Sequence, residues 1–310
     1  MRKLLLPAIV LSVLSAVGHR ASSAGRAGSV AERLGYPADS KLLIIHADDL
    51  AVAHSVDTAS FAALDQKAVS SASIMVPCPW LAEVAGYAKS HPGADLGLHL
   101  TLNSEWKTYR WGPVALKDQV SSLLAPDGYF FGEGEGFGAH AKADEVEREV
   151  RAQVEQAMKL GIHPTHLDSH MGSLFLTPDL FAVYVRVAHD YKLPFLAVRV
   201  SDERNKLLSS LSGKDIVLDS VVIFDPRVQP DQWTESYVKA LRSLKPGLHE
   251  LIVHLGHDDS ELQAITVDHP DYGAAWRQRD FNAVTSPEFK KSLEENHIIV
   301  IGWKDLKKLP

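Results

Sequence analysis

The 310-residue sequence predicts an α/β fold, namely a single-domain β/α barrel of the TIM-like type with long loops at the carboxyl ends of its strands. Short apolar segments alternate with segments of helical periodicity, which is typical of parallel β/α structure. The apolar segments show little polar alternation, so we expect both faces of each strand to be covered. The prediction includes an incomplete or distorted barrel. An open doubly wound sheet is the alternative.

The first strand is predicted at 41–47, where the apolar run KLLIIHA ends in polar residues. Further strands are predicted at 70–76, 94–102, 165–169, 195–200, 215–225, 249–256 and 297–303. Helices are predicted at 53–66, 144–160, 178–191 and 231–241. The helix at 144–160 has the clearest pattern, because a valine or methionine recurs every four residues from Val146 to Met158 and Gly161 supplies a stop. About eight strands in this order fit one barrel.

Two long stretches interrupt the alternation of strands and helices. Residues 103–140 are rich in glycine and aromatic residues, and residues 257–281 are polar. Loops of this length inside a compact domain are usually functional or disordered. The GEGEG run at 132–136 lies in a loop and lacks a strand before it and a helix after it, so it does not indicate a dinucleotide site.

The amino terminus predicts export. Met1, Arg2 and Lys3 form a positive start, LLLPAIVLSVLSAV follows, and a small-residue cleavage site ends at Ala24. A membrane anchor is the alternative, but 14 residues interrupted by a proline are short for a span, which needs about 20. We therefore expect a signal peptide at 1–24, a flexible segment at 25–40 and the functional domain at 41–310. The mature protein is expected to be secreted or periplasmic, without a membrane partner after cleavage.

Charge and cysteine content limit the partners and the kind of metal site. The formal net charge is −7 and no basic tract is present, which argues against a nucleic-acid partner. The sequence allows a second copy of the chain as a partner, in a homodimer. Cys78 is the only cysteine, so an internal disulfide and a cysteine-based zinc cluster are both excluded. Any metal must be held by histidine and carboxylate.

Chemically active residues fall repeatedly where predicted strands end. The set comprises Asp48, Asp49, His99, His166, Asp168, His170, Arg199 and His254. The carboxyl ends of the strands of a β/α barrel all face one mouth, where catalytic groups collect. Residues far apart in sequence are therefore expected to meet there.

Asp49, His99 and His170 supply a carboxylate and two imidazoles, a ligand set suited to a divalent cation with positions left for water. A cation also explains two adjacent carboxylates, since one can bind it while the other acts as a base on the water that the cation polarises. Taken singly, an Asp-Asp pair is most often a turn or helix cap, and His99 between two leucines is most often a satisfied core histidine. Their joint position at strand ends favours the metal site. The sequence does not decide between zinc and magnesium.

The sequence resembles the YdjC-like family, the chitooligosaccharide and related carbohydrate deacetylases. The similarity rests on LLIIHADDL with HSV, SSASIMVPCPW, DLGLHLTL, PTHLDSHMG, ELIVHLG and GWKDL, which occur in order from residue 41 to about 306. The resemblance implies a barrel-like β/α fold and divalent-metal-dependent removal of an N-acetyl group from a sugar. It also implies that Asp49, His99 and His170 are the metal ligands and that Asp48 is the catalytic base.

The sequence departs from the family pattern at three places. Asp48 and Asp49 precede Leu50 and Ala51, where members commonly have Phe-Gly. Met171 and Gly172 follow His170, where many members have further histidines. His254-Leu255-Gly256-His257 replaces the usual late His-Pro-Gly, which leaves two candidates for the general acid. His254 is the first and His257 the second.

Substrate contacts are predicted from side-chain chemistry. Trp106 and Trp111 are candidates to stack on a pyranose ring, with ordinary loop packing as the alternative. Arg199 is a candidate to hold a substrate oxygen, with an ion pair to an acid as the alternative. His257, the second candidate for the general acid, is also a candidate substrate contact. The expected substrate is an N-acetylated carbohydrate. Two other functions stay open, a metal-dependent hydrolase of other amides or esters and a sugar-binding barrel without turnover.

Overall fold

The computed structural model describes residues 28–132, 136–200, 203–224 and 226–309. Its centre is a parallel sheet with the strand order β4-β3-β2-β1-β6-β5, and β7 also pairs with β1. The strands are β1 (Lys41–Leu50), β2 (Ser71–Ile74), β3 (Leu96–Leu100), β4 (Leu167–Ser169), β5 (Ser220–Val222), β6 (Gly247–Val253) and β7 (Ile298–Val300). Every pairing between them is parallel.

Two isolated β-bridges continue the curved sheet from β4 to β5. Leu167 pairs with Phe195, and Val198 pairs with Leu218, just before β5 begins. The predicted strand at 195–200 is therefore present only as bridge-forming chain, and the one predicted at 215–225 is reduced to three residues. The predicted α/β barrel, allowed to be incomplete or distorted, is confirmed.

Helices cover the outside of the barrel. They are α1 (Val30–Arg33), α2 (His54–Asp65), α3 (Leu81–Ser90), α4 (Phe137–His140), α5 (Ala143–Lys159), α6 (Pro178–Tyr191), α7 (Trp233–Ser243), α8 (Ser260–Ile265), α9 (Ala274–Val284), α10 (Pro287–Glu295) and α11 (Trp303–Leu306). α6 occupies the residues predicted for it, because Thr177 caps its amino end and Pro178 occupies the first turn.

The two faces of β1 show how the barrel is filled. Leu43, Ile45 and Ala47 belong to the core beneath the helices. Leu42 and Ile44 belong to a second core that includes Trp303 of α11. Because alternate residues of a strand point to opposite faces, His46 and Asp48 continue the inward-facing row of Leu42 and Ile44. The barrel interior thus passes from apolar side chains at its base to polar ones at its mouth.

Residues 28–40 include part of the segment that the sequence predicts to be flexible. There α1 carries a capping box between Ser29 and Glu32, and its Ala31 is buried. The predicted signal peptide at 1–24 lies outside the described residues. Among the helices of the described ranges, none combines the length and apolar character that crossing a bilayer requires.

Candidate metal centre

The predicted ligands and the predicted base come from three strands of one sheet, β1, β3 and β4. Asp48 and Asp49 lie near the end of β1, His99 is the penultimate residue of β3, and His170 directly follows β4. All four are buried, although each side chain is ionisable. Buried charges are costly unless they are paired or hold a metal, so this cluster needs a physical explanation.

A β-bulge lets two adjacent carboxylates serve one site. The register between β1 and β2 shifts between Ala47 and Leu50, because three steps along β1 match two steps along β2. Asp49 has φ of 72°, a left-handed conformation that aspartate tolerates better than most residues. A regular strand would point its neighbour Asp48 to the opposite face, whereas a bulge can re-aim a side chain.

The atoms of the predicted ligand set converge. Oδ1 of Asp49 lies 3.5 Å from Nε2 of His99 and 3.5 Å from Nδ1 of His170. One ligand atom from each residue lies within 4.8 Å of the others. Oδ1 of Asp49 is buried and has no hydrogen-bond partner, although an acceptor in that state is costly. A carboxylate oxygen facing two imidazole nitrogens fits a divalent cation.

Two other groups of three donors also have their ligand atoms within 4.8 Å of one another, namely His46, His166 and Asp168, and Asp48, His99 and Asp168. Both depend on the Asp168 carboxylate, whose two oxygens already accept hydrogen bonds from His99 and His46. The group of Asp49, His99 and His170 keeps its convergent oxygen free, so we treat it as the candidate centre.

Each candidate histidine ligand is held through its other ring nitrogen. Nδ1 of His99 donates to Oδ1 of Asp168 at 2.6 Å, and Nε2 of His170 donates to Oε2 of Glu105 at 3.0 Å. Such carboxylate partners fix the tautomer and the orientation of a metal-binding imidazole. Burial disfavours the charged form of His170, but Glu105 and Asp49 outweigh it and raise its pKa to about 10. Burial opposes ionisation of Asp168 as well, yet His99 and His46 hold the pKa of that carboxyl well below its usual range.

Arg277 of α9 pairs with the second oxygen of Asp49. Its Nη2 donates to Oδ2 at 2.6 Å, and its Nε donates to the backbone oxygen of Tyr272. Burial raises the pKa of Asp49, but Arg277 and then His170 bring it well below the ordinary value. The arginine therefore keeps Asp49 ionised and leaves Oδ1 as the oxygen that faces the histidines.

Asp48, like Asp49, has one oxygen held by buried donors and one oxygen that faces the site. Its Oδ1 lies 3.2 Å from Nε2 of His46 and accepts from the Ser73 hydroxyl at 3.3 Å. Its Oδ2 faces Nε2 of His99 at 3.7 Å and Nε2 of His254 at 3.8 Å. In each aspartate, one oxygen is anchored by buried donors and the other faces the site.

The structure separates the two candidates for the general acid. His254 follows β6 and its ring nitrogen faces Asp48, while burial lowers the pKa of this imidazole. His257 packs edge-on against Phe281, with ring centroids 5.2 Å apart. Position at the site thus favours His254, and the role itself stays a prediction.

Two of the predicted substrate contacts are buried beside the candidate site, where the rings of Trp111 and His170 have centroids 6.4 Å apart, and the third, Arg199, lies away from it. Trp106 and Trp111 are only 2% and 3% exposed. The ring of Trp106 lies under the guanidinium of Arg277. Nε1 of Trp111 donates to the backbone oxygen of Asn103. This is the loop packing given as their alternative, and neither indole offers an open face to a sugar. Arg199 is exposed and pairs with Asp219, beside the start of β6. That ion pair is likewise its alternative, since the candidate site lies beyond the other end of β6.

Sequence patterns missed three residues of this site, namely His46, Glu105 and Arg277. His46 stands in the quoted HADD segment, but it looks like the end of an apolar strand. Glu105 and Arg277 lie in the two long stretches, where no periodicity assigns a direction to a side chain. The one available signal was the length of those stretches, which suggested function without identifying residues.

Comparison with known proteins gives a consistent result. Residues 42–295 match the family model described as YdjC-like protein. A carbohydrate deacetylase of Thermus thermophilus is 34% identical over 281 residues, covering 86% of this chain and 94% of that protein. A chitooligosaccharide deacetylase of Yersinia enterocolitica is 24% identical over 261 residues, covering 82% of this chain and 95% of that protein.

A solved structure shares the architecture. It is a crystal structure of an Enterococcus faecalis protein proposed to cleave cellobiose-phosphate, and it superposes with a TM-score of 0.73 at 26% sequence identity. The match covers 86% of this chain and 99% of that one. The likeness therefore extends over most of this chain and nearly all of that one.

Proposed function

This chain belongs to the YdjC-like protein family, and we propose that it is a divalent-metal-dependent hydrolase that removes N-acetyl groups from an acetylated amino sugar or oligosaccharide. The observation that carries the proposal is the buried, unpartnered Oδ1 of Asp49 between the ring nitrogens of His99 and His170. The names of the relatives support the substrate class.

Asp49, His99 and His170 would hold the cation, which when bound polarises an acetyl carbonyl and makes a water molecule more acidic. Asp168 and Glu105 orient the two imidazoles through their outer nitrogens. The cation is either magnesium or zinc, because two imidazoles suit zinc whereas a carboxylate-rich, hydrated site suits magnesium.

Asp48 is placed to act as the base. Its Oδ1 is anchored by His46 and Ser73, so Oδ2 is free to accept a proton from the attacking water. His254, 3.8 Å from that oxygen, is placed to protonate the departing amine. Because burial lowers the pKa of His254, its imidazole is neutral before the reaction, and it would pass to the amine the proton that Asp48 takes from the water.

The test combines metal analysis of the purified mature protein with an acetate-release screen over N-acetylated sugars. We expect one bound divalent ion, acetate release abolished by chelation, and recovery with Mg²⁺, Zn²⁺, Co²⁺ or Mn²⁺. His99→Ala should bind metal at least about 100-fold more weakly, since it removes a ligand. The matched control is His163→Ala, at an exposed histidine outside the site.

Two results would contradict the proposal. Release of acetate only from esters or from non-sugar amides would indicate a metal hydrolase of another specificity. Sugar binding that is equal in the wild type and His99→Ala, with no turnover by either protein, would indicate a binding protein.

We further propose that the protein is secreted or periplasmic. The support is the positive start and the apolar run of residues 4–17 in the sequence. Amino-terminal sequencing of the exported protein should begin at Gly25. An intact Met1 in a membrane fraction would instead favour a retained anchor.

A further inference from the structure

One buried imidazole lies beneath the candidate metal centre and contacts two carboxylates with different tasks. Nε2 of His46 is 3.0 Å from Oδ2 of Asp168 and 3.2 Å from Oδ1 of Asp48. The ring is fully buried, in the polar layer between the apolar base of the barrel and its mouth. No other described imidazole lies within hydrogen-bond distance of both carboxylates.

The two contacts lead to different parts of the proposed machinery. The other oxygen of Asp168 accepts from Nδ1 of His99 at 2.6 Å, and so directs the opposite ring nitrogen of His99 toward Asp49. The other oxygen of Asp48 is the one that faces the site. A displacement of His46 therefore moves a metal ligand and the base together.

We propose that His46 is a positioning residue that ties the base Asp48 to the metal ligand His99 through Asp168. The inference rests on the proposed function for the identity of the base. One N–H shared between two carboxylates fixes the distance between them, which a separate donor for each would not do. His46 touches neither the substrate nor the metal, so its effect is transmitted through its two partners.

The residues around His46 explain why no neighbouring side chain would replace its hydrogen bonds. Glu250 lies 3.7 Å from its other ring nitrogen, so three acidic side chains face this one ring. Ser73 also contacts Nε2, at 3.1 Å, but its hydroxyl hydrogen is donated to Asp48. Without His46, Asp168 and Asp48 would have no common donor and would repel each other across a buried space.

The experiment compares His46→Ala and His46→Gln with His166→Gln. His166 is an equally buried imidazole whose centroid lies 5.0 Å from that of His46, but it bonds Thr165 rather than either carboxylate. For each folded variant, calorimetry gives the metal dissociation constant without substrate. Acetate release at saturating metal gives kcat and KM, and thermal melting gives stability.

We expect His46→Ala to weaken metal binding about ten-fold and to lower kcat about ten-fold or more, with KM within about two-fold, because outer partners of metal ligands have effects of this size. His46→Gln, which keeps one N–H donor, should recover part of both losses. His166→Gln should lose stability while its metal affinity and kcat stay within about two-fold of the wild type.

A folded His46→Ala variant with wild-type metal affinity and kcat would overturn the inference, as would equal losses in His166→Gln. Metal affinity is measured without turnover. If the wild type binds metal but releases no acetate, the proposed function fails, while the tie between His46 and the metal ligand is still judged by the dissociation constants.

Discussion

Arg277 donates through Nη2 to Oδ2 of Asp49 over 2.6 Å, although 228 positions separate the two residues in sequence. Both side chains are buried. The contact makes the polar stretch at 257–281 part of the candidate site, because α9 delivers the arginine from it. A buried pair of this kind is strongly coupled, since the loss of one partner leaves an uncompensated charge.

Arg277→Met is therefore expected to destabilise the metal-free protein by about 3–5 kcal/mol. Asp49→Asn placed in that background should restore at least about 1 kcal/mol, because no buried charge then lacks its partner. Urea unfolding in the presence of a chelator measures both values as a double-mutant cycle. Additive losses in the double variant would show that the pair is not coupled.

Glu105→Gln should weaken metal binding by about 10- to 100-fold, because His170 loses the carboxylate that orients its ring. Calorimetric titration with Mg²⁺ and with Zn²⁺ measures this change. Glu83→Gln is the matched control, since Glu83 holds His54 at 2.9 Å in a similar pair outside the site. Equal effects of the two substitutions would remove Glu105 from the candidate centre.

His254→Ala should lower kcat by at least about 100-fold with little change in KM, as expected for loss of a proton donor to the leaving group. His257→Ala should change kcat far less, because that ring packs on Phe281 instead of facing Asp48. Steady-state rates of acetate release give kcat and KM for both variants. The reverse ranking would transfer the general-acid role to His257.

Asp57 predicts a pH dependence of stability outside the site. Burial, with Glu83 and Glu261 nearby, raises its pKa to about 9, against a backbone hydrogen bond from Ala51 that lowers it. Between about pH 4 and about pH 9 the folded chain holds a proton here that the unfolded chain has lost, so stability falls as pH rises, by up to about 1.4 kcal/mol per pH unit.

Asp57→Asn removes this titration and keeps an oxygen for the Ala51 amide. Its stability relative to the wild type should therefore rise by roughly 1 kcal/mol for each pH unit between pH 6 and pH 8, measured by urea unfolding. Asp144→Asn, at an exposed position of α5, serves as the control. A difference from the wild type that is constant with pH would show that Asp57 is ionised throughout.

Ala51, one of the departures from the family pattern, has a backbone conformation that favours glycine. Its φ is 76°, so it keeps a left-handed conformation that glycine adopts without strain. Ala51→Gly should change the free energy of unfolding by less than about 1 kcal/mol, because relief of strain is offset by greater entropy of the unfolded chain and a lost buried methyl. Ala51→Val should cost at least about 2 kcal/mol, because a β-branched residue rarely adopts positive φ.

Thermal and urea unfolding of both variants measure these changes. Ala53→Gly is a suitable comparison, because Ala53 is also buried but has φ of −156°. It should lose more stability than Ala51→Gly. If the two glycine substitutions cost the same, the left-handed backbone at Ala51 is not strained.

Strong local patterns predicted most of the fold. β1, α5 and α6 lie where the sequence places them, since each combines an apolar periodicity with a clear stop or cap. The chain at 195–200 was predicted as a full strand because apolar composition is the same whether a segment makes a ladder or two single bridges. Only the position of neighbouring strands decides that difference.

The part of the candidate site that lies at the ends of strands was predictable from the sequence. Asp49, His99 and His170 were found because a barrel brings those ends to one mouth, whatever their spacing in sequence. Arg277 and Glu105 were not, since a loop residue has no periodicity to reveal where its side chain points. The burial of Trp106 was missed for a related reason, because an aromatic residue in a loop has the same composition signal whether it faces solvent or the core.

The extra residue that β1 carries near its end serves the candidate site and not the strand ladder. Leu50 pairs with Ile74 after the bulge, and this pair closes the ladder at the last residue of both strands. Removing one residue there would give a ladder with fewer irregularities and one acidic side chain turned toward the helices. Such a deletion would leave a buried charge without its partner and take one carboxylate from the site, so the number of residues between Ala47 and Leu50 is tied to stability as well as to activity.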